Sequence, residues 1–403
     1  PPTRSAHPPV HAARGAAEGG SAMESPARDP TQLGAHGPPS STGMKPNWFA
    51  AVMGTGIVAN AAVLLPRHAP GQHAVAFGVW VLAGALLVGL TLVALTRRRP
   101  RLDAATAPFL GAPPMALLTV GAGTLLLGQD LIGLHAAAIV DAVLWTLGTA
   151  TGLAVAVVVP YRLITSGGLN RLDAVQGSWL MPVVPPMVSA ATGAALIAHL
   201  PAGQAQLTML LACYGMFGLS LLASLLVIAL LCARLALHGT GPAPSVPTLF
   251  MVLGPLGQSI TAVNLLGAAA AGVTPFAPAL RAFGVLYGVP VIGFTLLWLA
   301  LAATLTLKAR PPFSLAWWSF TFPVGTVVTG TSELARHTQA SVFTYLAIAL
   351  YVCLVLAWLT VFTRTAALVS RSCRRSPTRS PATISPRSSP LSRPAISTSP
   401  PTR

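Results

Sequence analysis

Phe322, Thr326, Thr329 and Glu333 stand at i, i+4, i+7 and i+11, the spacing that brings side chains onto one face of an α-helix. Two hydroxyls behind a phenyl ring can hold a partly dehydrated ion by hydrogen bonds, and the ring can plug the space in front of them. They cannot cut a covalent bond. Taken from Phe320, the same spacing gives Val324, Val327 and Thr331, an apolar face that packs on neighbours. Groups of the first kind recur in other apolar stretches: Thr55, Gly56 and Asn60, then Thr119, then Ser189 and Thr192, then Gln258, Thr261 and Asn264. None of these stretches holds a Lys or Arg at depth. An anion there would meet only hydroxyls, side-chain amides and helix-end amides, a weak binding that permits throughput.

Asp141 is the one acid well inside an apolar run. A carboxyl group at that depth serves either proton coupling or a hydrogen-bonded contact between helices, and the residue pattern leaves both open. Glu333 falls at the outer end of its run, where it can influence the admission of an anion. His135 and His199 lie near the ends of runs and receive no catalytic role. The chain has no HExxH, GxSxG or Walker motif and no paired acids at helical spacing, so no hydrolase, transferase or ATP-driven pump is expected. Cys213, Cys232, Cys353 and Cys373 form no CxxC pair; we expect no disulfide, no metal site and no cofactor.

These groups are embedded in a chain of 403 residues that is 53% hydrophobic and only 8% charged, where soluble domains carry about 25% charged residues. The composition is that of a membrane protein. A net charge of +16 suggests nucleic acid, but eight of the 24 Lys and Arg lie after residue 363 and most others sit between apolar runs. That distribution sets topology and excludes a nucleic-acid face. Residues 1–44 and 367–403, rich in Pro and Ser with Ala and Gly in the first or Arg in the second, are expected to be disordered. The leader has no signal-peptide pattern, and Met44, two residues before Pro46, is consistent with a reading frame over-extended upstream.

Between the tails, 45–366 reads as one transmembrane domain of ten spans: 47–65, 74–96, 108–127, 131–159, 177–198, 207–237, 248–271, 279–305, 314–331 and 342–363. Basic residues check the count. One side receives Lys45, the Arg97, Arg98, Arg99 and Arg101 cluster, Arg162, Arg171, Arg234, Lys308, Arg310 and the basic tail; the other receives only Arg67, Arg281 and Arg336. Both termini are therefore expected in the cytoplasm.

The odd-numbered spans share helix-breaking clusters, "MGTG" at Gly54, "GAPP" at Pro113, "MPVVPP" at Pro185, "GPLG" at Pro255 and "TFPVG" at Pro323. They recur roughly every 60 to 70 residues, the length of a helical hairpin. Spans two, four, six and ten contain no proline, and Pro290 is the exception in span eight. Irregular backbone is tolerated in a membrane only where protein or a water-lined cavity satisfies it. The sequence thus predicts an all-α membrane protein of five helical hairpins, the broken helices inside around a central pore and the regular ones facing lipid.

At these residues the chain resembles the tellurite-resistance and dicarboxylate transporter family, which includes malate permeases, sulfite efflux pumps and plant slow anion channels. The resemblance covers roughly 46–365 and is carried by "NWFAAVMGTGIVAN", "LGPLGQSITAVNLLG" and "FSLAWWSFTFPVGTVVTGTSEL". It implies ten helices around a pore, a homotrimer with one pore per subunit, and transport of a small anion, C4-dicarboxylate such as malate or sulfite ahead of chloride, nitrate or tellurite. It also implies that Phe322, in "TFP", is the gate, with Phe320 as the fallback if the motif is offset.

Overall fold

A computed structural model describes residues 45–96, 106–165 and 171–374, with backbone alone for 372–374. The expected N-terminal tail, the arginine cluster at 97–101 and residues 375–403 lie outside the described residues, as does the side chain of Cys373. Helices make up most of the described chain, with no strand among these residues.

Five short α-helices share one construction, each preceded by 3-10 helix. Pro46–Trp48 leads into α1 (Phe49–Leu64), Ala107–Gly111 into α3 (Ala112–Gly123) and Gly177–Leu180, through a turn, into α6 (Pro185–Leu196). Ala243–Val252 leads into α8 (Leu253–Ala269), and Leu315–Phe320 into α10 (Phe322–Thr338). Pro113, Pro185 and Pro323 all fall in the first turn of their α-helices. There a missing N–H costs nothing, because no carbonyl lies four residues back within the helix to accept it. The prolines of these clusters are thus start signals placed partway along a span, whereas α1 runs unbroken through Gly54 and Gly56.

Five long helices alternate with these: α2 (Gln72–Thr96), α5 (Leu134–Thr165), α7 (Gln204–His238), α9 (Ala277–Ala309) and α11 (Ser341–Arg374). The four-residue α4 (Gln129–Ile132) follows a π turn at the end of α3. α5 and α9 run through Pro160 and Pro290. α11 continues past residue 366, where the tail was expected to begin, since Ala366 to Val369 are compatible with helix and the first proline comes at Pro377.

Among the described residues, eight runs are long and apolar enough to cross a membrane. The expected fifth and ninth spans are not among them, because the prolines around Pro185 and the start of α10 at Phe322 split each into pieces of 17 residues or fewer. Burial separates the runs into two classes. Those holding α1, α3 and α8 are 78%, 72% and 94% buried over their most apolar windows, against 11%, 17%, 33%, 28% and 22% for α2, α5, α7, α9 and α11. The buried helices pack in a closed cycle, α1 on α3, α3 on α6, α6 on α8, α8 on α10 and α10 back on α1. Each long helix packs on the short one next to it in sequence, α2 on α1, α5 on α3, α7 on α6, α9 on α8 and α11 on α10.

With no hydrophobic drive between helices in lipid, such packing rests on close contact and on hydrogen bonds between helices. The Gly-Thr-Gly of α1 supplies both. A Cβ on Gly54 would collide with Thr321 and Trp318, and one on Gly56 would lie 2.8 Å from Thr119 Cγ2, so two neighbours press directly on the α1 backbone. Between them Thr55 Oγ1 accepts a hydrogen bond from Trp358 Nε1 of α11 at 3.1 Å.

Candidate functional site

The heads of the five short helices meet at a small apolar cavity of about 20 Å³, room for roughly one water molecule. Ala50 and Met53 of α1 line it, with Phe109 and Met115 at α3, Leu180, Met181 and Val184 ahead of α6, and Met251 and Gly254 at α8. Leu315, Trp318, Ser319, Phe322 and Pro323 close the circle. Phe322 is 2% exposed, the first residue of α10, and held there by a backbone that turns from 3-10 to α at Thr321. Thr321 Oγ1 donates to Trp318 O at 2.7 Å and Gly325 N to Thr321 O at 2.9 Å, so the turn carrying the ring is fully bonded.

Phe320 has different surroundings. It packs edge-on against Phe250 at 4.8 Å and Trp317 at 5.6 Å between ring centroids. Only two of the residues picked from sequence, Phe322 and Pro323, line this cavity. Gly56 and Pro113 belong to the packing of α1 and α3 already described. The hydroxyls and amides are engaged within their own helices or in seams between helices. Thr261 and Thr329 bond to each other at 2.8 Å across α8 and α10, and Thr326 Oγ1 lies 2.6 Å from Pro323 O and 3.2 Å from Leu253 O. Asn60 Nδ2 donates to Thr119 O at 3.0 Å, and Thr119 Oγ1 to Met115 O at 2.7 Å. Ser189 Oγ accepts from Thr149 of α5 at 2.9 Å while donating to Pro185 O, and Thr192 Oγ1 donates to Val188 O. Asn264 Nδ2 reaches Gly284 O of α9 at 3.3 Å. A helical hydroxyl within reach of the carbonyl one turn back bonds there, which is why polar residue type alone does not mark a path.

The side-chain amide oxygens of Asn60, Asn264 and Gln258 are left over among the described residues. Gln258 is 5% exposed and its Oε1 has no partner among the described residues. Glu333 is 1% exposed and its carboxylate is engaged by Arg336 Nη1 at 2.9 Å, with His337 Nδ1 4.0 Å away. Arg281 and His337 line an open cavity of about 500 Å³ at that same end of α10.

The sequence reading missed the methionines. Met53, Met115, Met181 and Met251 come from four different segments, each within four residues of a breaker cluster, and all four face the cavity. Their flexible thioethers fill an irregular gap that rigid β-branched side chains would leave open. The signal was the repeat itself, since four of the nine methionines occupy corresponding places in it.

Residues 43–366 match the voltage-dependent anion channel family. The chain is similar to a sulfite efflux pump of Arthroderma otae, 28% identical over 346 residues that span 82% of this chain and 91% of the relative. A sulfite efflux pump of Trichophyton rubrum is 27% identical over the same length and shares. An uncharacterized transporter of Methanocaldococcus jannaschii is 29% identical over 320 residues, 78% of this chain and 90% of its own. The resemblance carried by the first, seventh and ninth expected spans therefore identifies the group correctly, and this chain belongs to the voltage-dependent anion channel family.

Proposed function

We propose that this protein carries small anions across a cell membrane, sulfite foremost, through a path between the five short helices that Phe322 closes. One observation carries the reading: the heads of all five buried helices converge on a small apolar cavity with room for about one water molecule, too little for a sulfite ion, with the Phe322 ring in its wall. α3, α6, α8 and α10 each point an N-terminus there, and helix N-termini favour negative charge. No fixed cation is needed, and weak binding keeps throughput high.

In this reading the ten helices form five hairpins that cross the membrane ten times with both ends in the cytoplasm, and subunits assemble as a homotrimer with one path each. Sulfite stands first because two of the relatives are named sulfite efflux pumps. A C4-dicarboxylate such as malate stands second, with chloride, nitrate and tellurite behind. The test is a flux panel on purified protein in liposomes with these five anions. Sulfite is expected to move fastest, and transport confined to cations or neutral sugars overturns the reading.

A further inference from the structure

Asp141 is 0% exposed, and neither of its carboxyl oxygens has a hydrogen-bond partner among the described residues. α5 presents it to α3 at Gly121, where a Cβ would stand 2.6 Å from Oδ1, so the absence of a side chain at Gly121 makes the niche. A carboxyl that merely ties two helices needs a donor across the seam, and this one has none. Nor is there a charge to balance it. The elements packed against α5 are α3, α4, α6, the π turn at Thr124–Gly128 and the 3-10 segment at Ala107–Gly111. Their single titratable side chain is Asp130 of α4, which is exposed and paired with His73 at 3.4 Å. An unpaired ion is costly to bury, so this niche accepts a neutral acid more readily than a carboxylate.

An open cavity lies along the neighbouring face of α5. His135, Ala138, Ala142, Trp145 and His199 line it, and its volume of about 310 Å³ has room for water. Ala138 and Ala142 lie close to Asp141 in sequence, and both imidazoles are exposed. The Asp141 face of α5 is also fastened to a helix of the buried cycle. Trp145 and Thr149, four and eight residues on, donate to Ser189 O and Ser189 Oγ of α6, both at 2.9 Å. Val184, immediately ahead of α6, lines the central cavity.

We propose that Asp141 is a proton-binding site, loaded through the His135 and His199 cavity, whose loading and unloading accompany anion movement. A proton leaves an imidazolium nitrogen, crosses by water in the cavity and joins the carboxylate. Imidazolium becomes imidazole as carboxylate becomes carboxylic acid, and the reverse step releases the proton. This inference rests on the anion-transport reading.

The test uses the full chain in liposomes that enclose a pH-sensitive dye, with an imposed sulfite gradient and protein-free vesicles subtracted. Proton movement is expected to accompany sulfite flux in the wild type, to fall at least tenfold in Asp141→Asn while sulfite flux without a pH gradient stays within about twofold, and to survive in Asp141→Glu. Sulfite flux without proton movement in the wild type, or undiminished proton movement in Asp141→Asn, overturns the proton site and leaves the transport reading standing. Absence of flux for every anion of the panel overturns both. Should Asp141→Asn fail to insert, infrared difference spectra of wild type and Asp141→Glu decide. A carboxylic-acid band that vanishes on raising the pH and shifts in the Glu variant supports the site, and a pH-invariant band overturns it.

Discussion

Phe322 and Phe320 are two residues apart and make opposite demands on the same experiment. Phe322 is buried in the wall of a cavity that four methionines also line, side chains that re-pack at low cost. Its loss enlarges a space that sits where five helices converge. Phe322→Ala is therefore expected to raise anion flux several-fold in liposomes with the fold retained. If the ring only packed, truncation would cost about 3 to 5 kcal/mol and flux would fall with expression. Phe320→Ala removes the edge-on contacts with Phe250 and Trp317; such pairs contribute about 0.5 to 1.5 kcal/mol beyond area burial. That variant should unfold at lower temperature in detergent and conduct no faster. Opposite results in the two variants would reassign the gate.

At the scale of helices, Gly257 and Gly215 differ in what presses on them, and this gives a stability experiment independent of transport. A Cβ on Gly257 of α8 would lie 2.5 Å from Thr326 C and Val327 N of α10, all backbone that cannot swing aside. Gly257→Ala should cost about 1 to 3 kcal/mol, the usual penalty of overpacking. Gly215 of α7 has nothing within 4 Å of its missing Cβ. There Gly→Ala removes only the entropy cost of glycine in a helix, so stability should stay level or rise by up to about 1 kcal/mol. Thermal unfolding of both variants in one detergent measures the contrast, and equal effects would mean that α8 and α10 are not packed backbone to backbone at Gly257. The outer helices also reach inward by their indoles. Trp358 donates to Thr55, Trp145 to Ser189 O, and Trp298 to Leu249 O. These bonds were not legible in the sequence, because a tryptophan in an apolar run reads equally as a lipid-facing ring. The repeat was legible, because breakers at corresponding places report a backbone requirement, whereas the hydroxyls of Thr261, Thr326 and Ser189 report only that some acceptor lies in reach. Family membership followed from the motifs around those breakers. The lining of the cavity did not, since side-chain direction at a 3-10 to α junction depends on neighbours far away in the chain.

For the whole molecule, composition settled the solvent before any helix was placed: so little charge leaves the chain no other way to be soluble than in lipid. What composition leaves open is how many times the chain crosses. Length and hydropathy give eight runs, and the two segments that fall short, Leu172–His199 and Leu315–Thr338, belong to the same cycle of contacts as the runs that qualify. The helical parts of both are buried on nearly every side, α10 from Phe322 to Ala335 without interruption. A segment enclosed by protein needs no lipid-facing apolar surface, so a hydropathy threshold undercounts it. If both cross, the chain makes ten passes and a reporter placed after Arg374 lies on the same side as one near Gly167, with one at Ala202 opposite. If neither crosses, eight passes remain and the Ala202 reporter joins the Gly167 side. Compartment-specific reporter activity at these three positions separates the cases. The expected pattern is cytoplasmic signal at Gly167 and after Arg374 and non-cytoplasmic signal at Ala202, because the loops of the first kind carry Arg162, Arg171, Arg234, Lys308 and Arg310 while those of the second carry only Arg67, Arg281 and Arg336.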